Sequence, residues 1–307
     1  MTTSNVGSEE GDILGAFLRD LLENAAKEIA GAEAIVRVNR REGVGDDPES
    51  IRKLRLSFRR VQYQLETISK IDRSLQTATL VLQLHECGKP FGKLRDAEIL
   101  EARLAKALNI HGDTTEGRHM KELAADARRN KQLAIDELLD SLAYQRVVTE
   151  LDDYRSTLPA SIEPPLALRP IAQRAITNSW RRLGKDAKKA RRDSSDPRLH
   201  AVRISAKRMM YVTQAFAHIL GPTADELAGR LDTLQHFLGT QHDHVIAAEW
   251  FNQVGHLHPE LVALTKKISS EERQRAHHRV KRWRHVWKSV KNLHPRRMYD
   301  STSSASS

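Results

Sequence analysis

The chain has 307 residues, of which 39% are hydrophobic, 29% charged and only 5% aromatic, and its formal net charge is +10. This composition favours amphipathic helices over a sheet, which uses more β-branched and aromatic residues, and the excess of cations predicts an anionic partner. The single cysteine, Cys87, excludes an internal disulfide and a cysteine-rich metal site, and it fits a reducing compartment.

The start of the sequence has no targeting features. MTTSNVGSEEGD lacks a positive segment followed by an apolar run, and nowhere are there the roughly 20 consecutive apolar residues of a membrane span. The sequence therefore predicts a cytoplasmic protein with no membrane partner. Residues 1–10 and 300–307 are small and polar, and we expect both to be disordered tails.

Between these tails nearly every segment has helical periodicity. The first predicted helix has five apolar residues at the spacing of a buried stripe: Leu14, Phe17, Leu18, Leu21 and Leu22. Helix starts are predicted at 46–49 (DDPE) and at 196–197 (DP), where acids precede or surround a proline. The segment 109–118 is predicted to be a flexible connection between two long helices.

The strongest break in the pattern is LPASIEPPLALRP, residues 158–170, with four prolines in thirteen residues. We interpret it as a linker between a first helical bundle, residues 11–157, and a second, residues 171–299.

The two halves contain an internal repeat. Residues 55–63 (RLSFRRVQY) align with 203–211 (RISAKRMMY), at an offset of 148, and 92–96 (GKLRD) align with 239–243 (GTQHD), at an offset of 147. Two short matches at nearly one offset indicate a duplicated unit. The predicted fold is all-α, with two four-helix bundles related by pseudo-two-fold symmetry.

Helical geometry separates the repeated segments into an apolar and a basic face. In the first copy the apolar face comprises Leu54, Phe58, Val61 and Leu65, and in the second it comprises Val202, Ala206 and Met209. The opposite faces are basic, with Arg52, Arg55 and Arg59 in the first copy and His200, Arg203 and Lys207 in the second, flanked by Arg60 and Arg208. Arg52 to Arg59 spans roughly 10 Å, which suits an extended polyanion.

A solvated surface is the ordinary interpretation of such a basic run. Two observations favour a different interpretation, a basic face that is covered by the other half. Residues 52–60 contain no acid, although solvated helices usually interleave both signs. Leu56 and Ile204, and also Tyr63 and Tyr211, repeat on the basic side. We therefore expect the two basic faces to meet between the bundles, where an anion would neutralise them.

Two further basic segments, 179–208 and 270–299, are expected to lie on helices. The second contains Trp283 and Trp287, which we predict to be core residues, and some of its cations would extend the anion surface.

The repeated segments resemble the CHAD family, an α-helical domain named for its histidines. The resemblance is carried by DDPESIRKLRLSFRRVQYQL and LHAVRISAKRMMYVTQAF, followed by GKLRDAEIL and GTQHDHVIAAEW, in which we expect turns between glycine and aspartate. It covers nearly the whole ordered chain. It implies two four-helix bundles that enclose a basic groove or pore, and it implies binding of inorganic polyphosphate.

Carried over by position, the family's histidine corresponds to His200. Its basic positions correspond to Arg55, Arg59, Arg60, Arg203, Lys207 and Arg208. The sequence departs from the family pattern at Arg52, which replaces the first-repeat histidine, and at Gln62 and Met210, which occupy commonly basic positions. Many relatives are fused to a CYTH-type triphosphatase domain, for which we expect no room here.

No motif for catalysis is found. His242-Asp243 is similar to the motif of HD phosphohydrolases, but His242 and His244 point to different sides of a helix. Asp96 and Asp243 are interpreted as turn or helix-start residues that pair with nearby Arg or Lys. His256, His258 and the pair 277–278 show no ligand spacing, and neither a phosphate loop nor a nucleophile elbow occurs. We predict no catalytic residues, no metal and no cofactor.

The sequence thus predicts a non-enzymatic protein that binds inorganic polyphosphate and is directed to polyphosphate granules. The predicted binding residues are Arg52, Arg55, Arg59, Arg60, Tyr63, His200, Arg203, Lys207, Arg208 and Tyr211. A nucleic-acid or general polyanion binder is the alternative, although base-stacking aromatics are scarce. An enzyme acting on phosphoanhydrides and a basic scaffold for an acidic protein remain as further alternatives.

Overall fold

A computed structural model describes residues 14–42, 48–70, 77–112, 114–157 and 168–295. The first half contains five helices: α1 (Leu14–Glu42), α2 (Pro48–Ile68), α3 (Ala78–His111), α4 (Thr115–Asp140) and α5 (Leu142–Thr157). The second half contains α6 (Leu168–Arg192), α7 (Asp196–Ala215), α8 (Ala217–Leu220), α9 (Pro222–Leu257), a 3₁₀ helix (Pro259–Leu261) and α10 (Val262–Lys291). Within these ranges there is no strand, so the all-α prediction is confirmed.

Helix starts agree with the local chemistry of the sequence. α2 begins at Pro48 and α7 at Asp196, as the proline and acid signals predict. α6 begins at Leu168, inside the segment 158–170 that we expected to be a linker. The remainder of that segment and both predicted tails lie outside the described residues.

The expectation of turns at the two glycine-to-aspartate segments is wrong. Gly92 and Asp96 lie within α3, and Gly239 and Asp243 lie within α9. Glycine costs a helix only about 1 kcal/mol relative to alanine, which the packing of long helices readily offsets. At Gly239 the missing side chain has a structural use, because a Cβ there would lie 3.3 Å from the Nε atom of Arg203.

The two halves are packed against each other along their length. Neighbouring helices pack in the order α1–α2–α3–α4 in the first half and α6–α7–α9–α10 in the second, and α2 also packs against α7. The Phe17 ring of α1 stacks on Phe216, with 4.8 Å between ring centroids. A second apolar cluster joins Leu104 and Met120 of the first half to Phe251 of α9. These contacts hold α2 and α7 side by side.

The C-terminal helix agrees with its sequence pattern. Trp283 and Trp287 are buried in the core, as predicted.

No helix in the described ranges is long and apolar enough to cross a membrane.

Candidate functional site

Helices α2 and α7 are oriented by their apolar faces. Leu54, Phe58 and Leu65 of α2, and Val202 and Met209 of α7, are fully buried, as the spacing predicts. Because these residues face the core, the basic residues on the opposite sides of both helices are directed away from it.

Equivalent serines fix the two helices in equivalent ways. The Ser57 hydroxyl donates to Glu28 of α1 over 2.5 Å, and the Ser205 hydroxyl donates to Asp186 of α6 over 2.5 Å. Both serines are buried. Each basic helix is therefore hydrogen-bonded to the helix that precedes it in its own half.

The repeated tyrosines meet where α2 crosses α7. The rings of Tyr63 and Tyr211 lie 6.0 Å apart between centroids, and both residues are buried. The side-chain amide of Gln64 also donates to the carbonyl oxygen of Tyr211 over 3.4 Å. The tyrosine-bearing sides of α2 and α7 are therefore in contact.

Beside this contact lies a cleft of about 790 Å³ between α2, α3, α7 and α9. Seven of the predicted binding residues line it: Arg52, Arg55, Arg59, Arg60, Arg203, Lys207 and Tyr211. Three do not, namely Tyr63, His200 and Arg208. The structure thus brings most of the basic residues of both repeats to one cavity.

Four of the lining cations have no ion-pair or hydrogen-bond partner among the described residues: Arg55, Arg59, Arg203 and Lys207. They are two equivalent pairs, because Arg55 aligns with Arg203 and Arg59 aligns with Lys207. The same two positions of each repeat therefore present unneutralised side chains to the cleft. Such an arrangement is unfavourable unless an anion occupies the cleft.

The flanking cations are neutralised by the protein itself. Arg60 pairs with Glu28 over 2.8 Å, and Arg208 pairs with Glu66 over 3.1 Å while its guanidinium lies 5.1 Å from the centre of the Tyr63 ring. The exposed Arg52 pairs with Glu49. These three arginines are consequently less available to a ligand than the four unpaired cations.

Burial and mutual repulsion act on the unpaired cations. Burial, followed by the charges of Arg59 and Arg95, lowers the pKa of Arg55 to about 10. Burial, reinforced by Arg59 and Arg203, lowers the pKa of the Lys207 amine to about 6. Burial also lowers the pKa of Arg203, although Asp243 opposes this effect. Lys207 is therefore mostly uncharged at neutral pH.

His200 contacts another histidine rather than the cleft. Its ring lies 4.4 Å from that of His242, and its Nδ1 atom is buried without a hydrogen-bond partner in the described part of the chain. Burial, followed by the charges of Arg203 and Lys207, lowers the pKa of His200. Burial and His200 lower the pKa of His242 to about 4. Both rings are therefore mostly neutral at neutral pH.

His244, two residues further on, has different neighbours. Its Nδ1 atom lies 2.6 Å from Glu272 and 2.5 Å from a guanidinium nitrogen of Arg103. His242 and His244 thus point to different parts of the protein, as their spacing predicts.

The cleft also contains acids that the sequence did not assign to it. They are Glu49, Asp96, Glu98, Asp232 and Asp243. Asp96 and Asp243 are attracted electrostatically to Arg203, but neither forms an ion pair within 4.0 Å in the described residues, contrary to the expected pairing. Restricted solvation, followed by the charge of Asp243, raises the pKa of Asp96.

One further lining cation, Arg95, was missed. It lies inside the repeated segment 92–96, and Asp96 follows it. A helical rather than a turn interpretation of this segment would have identified both residues as neighbours of the basic faces.

Comparison with known proteins agrees with this geometry. The sequence matches the CHAD domain family over residues 16–252. The chain belongs to the CHAD domain family. Two uncharacterized proteins of Mycobacterium tuberculosis, from strains CDC 1551 / Oshkosh and ATCC 25618 / H37Rv, are each 26% identical to this CHAD protein over 212 residues. The matched region covers 66% of this chain and 40% of the length of each relative.

Solved structures share the fold. The crystal structure of the CHAD domain from the plant Ricinus communis has a TM-score of 0.75 at 19% identity, covering 95% of this chain and 96% of that one. PptA from Streptomyces chartreusis has a TM-score of 0.71 at 18% identity, covering 91% of this chain and 100% of its own. Both chains are matched over nearly their full length, so the fold of the CHAD protein is that of these structures.

Proposed function

We propose that this CHAD protein binds inorganic polyphosphate in the cleft between α2 and α7. The observation that carries the proposal is the set of four unpaired side chains, Arg55, Arg59, Arg203 and Lys207, at equivalent positions of the two repeats. Arginine offers planar N–H pairs to phosphate oxygens, and a protonated lysine acts as a compact positive charge. A phosphate chain neutralises the three arginines and favours the protonated form of Lys207.

The arrangement suits a polymer better than a single phosphate group. The cations come from two helices and line a cleft of about 790 Å³, which exceeds the volume that one phosphate fills. Arg52, Arg60 and Arg95 lie in the same lining and provide further contacts along a chain. The five carboxylates of the lining restrict the anion to the path of the unpaired cations, because like charges repel it elsewhere.

We further propose that the cleft originated by duplication of a four-helix unit, whose copies are related by pseudo-two-fold symmetry. Three equivalences support this: the serine contacts of Ser57 and Ser205, the Tyr63–Tyr211 ring contact, and the acids at positions 96 and 243. A symmetric cleft has no preferred direction, which suits a polymer whose two ends are chemically alike.

The proposed role is binding without catalysis. The cleft has cations that hold phosphate, but its lining contains no serine, cysteine or pair of histidines arranged to attack a phosphoanhydride. We propose that the protein acts in the cytoplasm, where polyphosphate binding directs it to polyphosphate granules. Release of orthophosphate by the purified protein would contradict the absence of catalysis.

The decisive experiment is calorimetric titration of the purified protein with long-chain polyphosphate. Arg55→Ala/Arg59→Ala/Arg203→Ala/Lys207→Ala removes the four unpaired side chains, and we expect at least about a hundredfold loss of affinity. Circular dichroism checks that the helical signal is retained. Polyphosphate at 100 times its Kd should also add about 2.7 kcal/mol to the free energy of unfolding of the wild type.

A matched control removes as many side-chain cations elsewhere. Lys185, Lys188, Lys189 and Arg192 are exposed on α6 and do not line the cleft. Their joint replacement by alanine should leave binding nearly unchanged. Equal losses in the two quadruple variants would contradict the proposed site. Displacement of polyphosphate by single-stranded or duplex nucleic acid at equal phosphate concentration would instead indicate a general polyanion binder.

A further inference from the structure

Two histidines and a glutamate from different segments converge outside the cleft. His119 lies on α4, His258 follows the end of α9, and Glu260 lies in the 3₁₀ helix. The Oε1 atom of Glu260 is 3.6 Å from Nδ1 of His119 and 3.5 Å from Nδ1 of His258. One ligand atom from each of the three residues lies within 4.8 Å of the others.

These separations are too long for good hydrogen bonds but suitable for ligands of one metal ion. Nitrogen–oxygen hydrogen bonds are normally about 2.7–3.2 Å long. Ligand atoms at about 2.0–2.1 Å from a tetrahedral zinc ion lie roughly 3.4 Å from one another. Both histidine–glutamate distances are close to that value. The two imidazole rings lie edge-to-face with centroids 5.4 Å apart, and their ligand nitrogens, which are at most 4.8 Å apart, need to approach by about 1.4 Å at most.

The backbone around the three residues is well anchored. The amide of His258 donates to the carbonyl of Val254 over 2.8 Å, and the carbonyl of His258 accepts from the amide of Leu261 over 2.9 Å. Leu261 and Met120, next to Glu260 and His119 in sequence, are buried in the same apolar cluster. The ligand side chains thus extend from backbone that packing already fixes.

We propose that His119, His258 and Glu260 form a binding site for a divalent transition-metal ion of the zinc class. Two nitrogens and one carboxylate oxygen are typical of zinc, whereas calcium and magnesium select sets of oxygen ligands. Three protein ligands leave a fourth position for water. The bound ion connects α4 of the first half to the end of α9 in the second half.

Sequence spacing gave no indication of this site. His119 and His258 are 139 positions apart, and only the packing of the two halves brings them together. The expectations that His258 has no ligand role and that the protein has no metal site are therefore replaced by this proposal.

The test uses the full chain after removal of metals with a chelator. Titration with Zn²⁺ should show one saturable site and a rise in Tm, and Co²⁺ at the site should give the visible absorption of a tetrahedral complex. In His119→Ala and His258→Ala both signals should be lost. Removal of a residue that orients a metal ligand lowers metal affinity roughly 10- to 100-fold. Removal of one of three direct ligands should therefore lower the Zn²⁺ affinity further.

His256→Ala is the matched control, because His256 is exposed in the last turn of α9 and is outside the three-residue group. It should bind Zn²⁺ as the wild type does. Equal Zn²⁺ affinity in wild type, His119→Ala and His258→Ala would overturn the proposal, and so would the absence of any saturable binding to the wild type. Polyphosphate titration of His119→Ala should be unchanged, which separates this site from the cleft.

Discussion

Arg59 of α2 adds its charge to burial in lowering the pKa of the Lys207 amine of α7 to about 6. In the unfolded chain the same amine titrates near its ordinary value of 10.5. Between these pH values the unfolded state binds more protons than the folded state, so this group makes stability rise with pH. The contribution is about 1.4 kcal/mol for each pH unit.

Lys207→Met should therefore be more stable than the wild type at pH 7, because an apolar side chain of similar length avoids the cost of burying an amine. The difference should shrink by about 1.4 kcal/mol per pH unit between pH 7 and pH 9. Urea unfolding at pH 7, 8 and 9 measures it. Lys185→Met, at an exposed position of α6, should show no such trend. A pH-independent difference for Lys207→Met would contradict the lowered pKa.

The same amine predicts that polyphosphate binding takes up a proton. A phosphate chain near Lys207 favours the charged form and raises its pKa. At pH 8 the free amine is mostly neutral, so binding should take up as much as about one proton, and affinity should fall by at most about tenfold per pH unit. Calorimetry in buffers of different ionisation enthalpy measures the uptake. In Lys207→Met the uptake at pH 8 should be lost, and retained uptake would assign the proton to another group.

The sequence identified the two helices that carry the site. It did not identify which of their basic residues form ion pairs. The apolar spacing of Leu54, Phe58 and Leu65 is sufficient to orient α2, and the repeat is sufficient to identify α7 as its counterpart. The ion pairs were not predictable, because Arg60 and Arg208 have the same local pattern as Arg59 and Lys207. Arg60 and Arg208 are neutralised by Glu28 and Glu66, which folding brings close.

The glycine-to-aspartate segments were misinterpreted for a related reason. Glycine is a turn signal in isolation, but at Gly239 it makes room for the guanidinium of Arg203, which is 36 positions earlier in the chain. The placement of Asp96 and Asp243 in the cleft follows from that helical continuity. Contacts between distant residues decide such positions, and a single sequence does not contain them.

The ring contact of Tyr63 and Tyr211 predicts a measurable loss of stability on truncation. Both residues are buried where α2 crosses α7. Tyr211→Ala should lower the free energy of unfolding by about 3–5 kcal/mol, as for other large buried aromatic residues, whereas Tyr211→Phe keeps the ring and should cost less than about 1.5 kcal/mol. Guanidinium unfolding compares the two variants. Similar small losses in both would show that the ring contact does not support the packing of α2 on α7.

Salt dependence tests how many charges the cleft contributes. If the single-strand value of about −0.7 per neutralised charge applies to polyphosphate, six contacts give a slope near −4 in a plot of log affinity against log salt concentration. The six predicted contacts are Arg52, Arg55, Arg59, Arg60, Arg203 and Lys207. Replacement by alanine of Arg55, Arg59 or Arg203, which form no ion pair among the described residues, should reduce the slope by about 0.7. A slope that Arg55→Ala and Arg203→Ala leave unchanged would place the anion elsewhere.

The carboxylates of the cleft are expected to weaken polyphosphate binding, whereas its cations strengthen it. Asp96 and Asp243 line the cleft and are attracted to Arg203, so they partly offset the charge that a phosphate chain would neutralise. Asp96→Asn and Asp243→Asn keep the size of the side chain but remove its charge, and each should increase polyphosphate affinity. The double variant should show the larger increase, because neither carboxylate then offsets the charge of the cations that hold the phosphate chain. Titration calorimetry measures the increase, and Asp232→Asn, at an exposed lining position, is the matched control. A loss of affinity in Asp96→Asn and Asp243→Asn would mean that these carboxylates assist binding, and it would contradict an anion held by Arg203 and its neighbours.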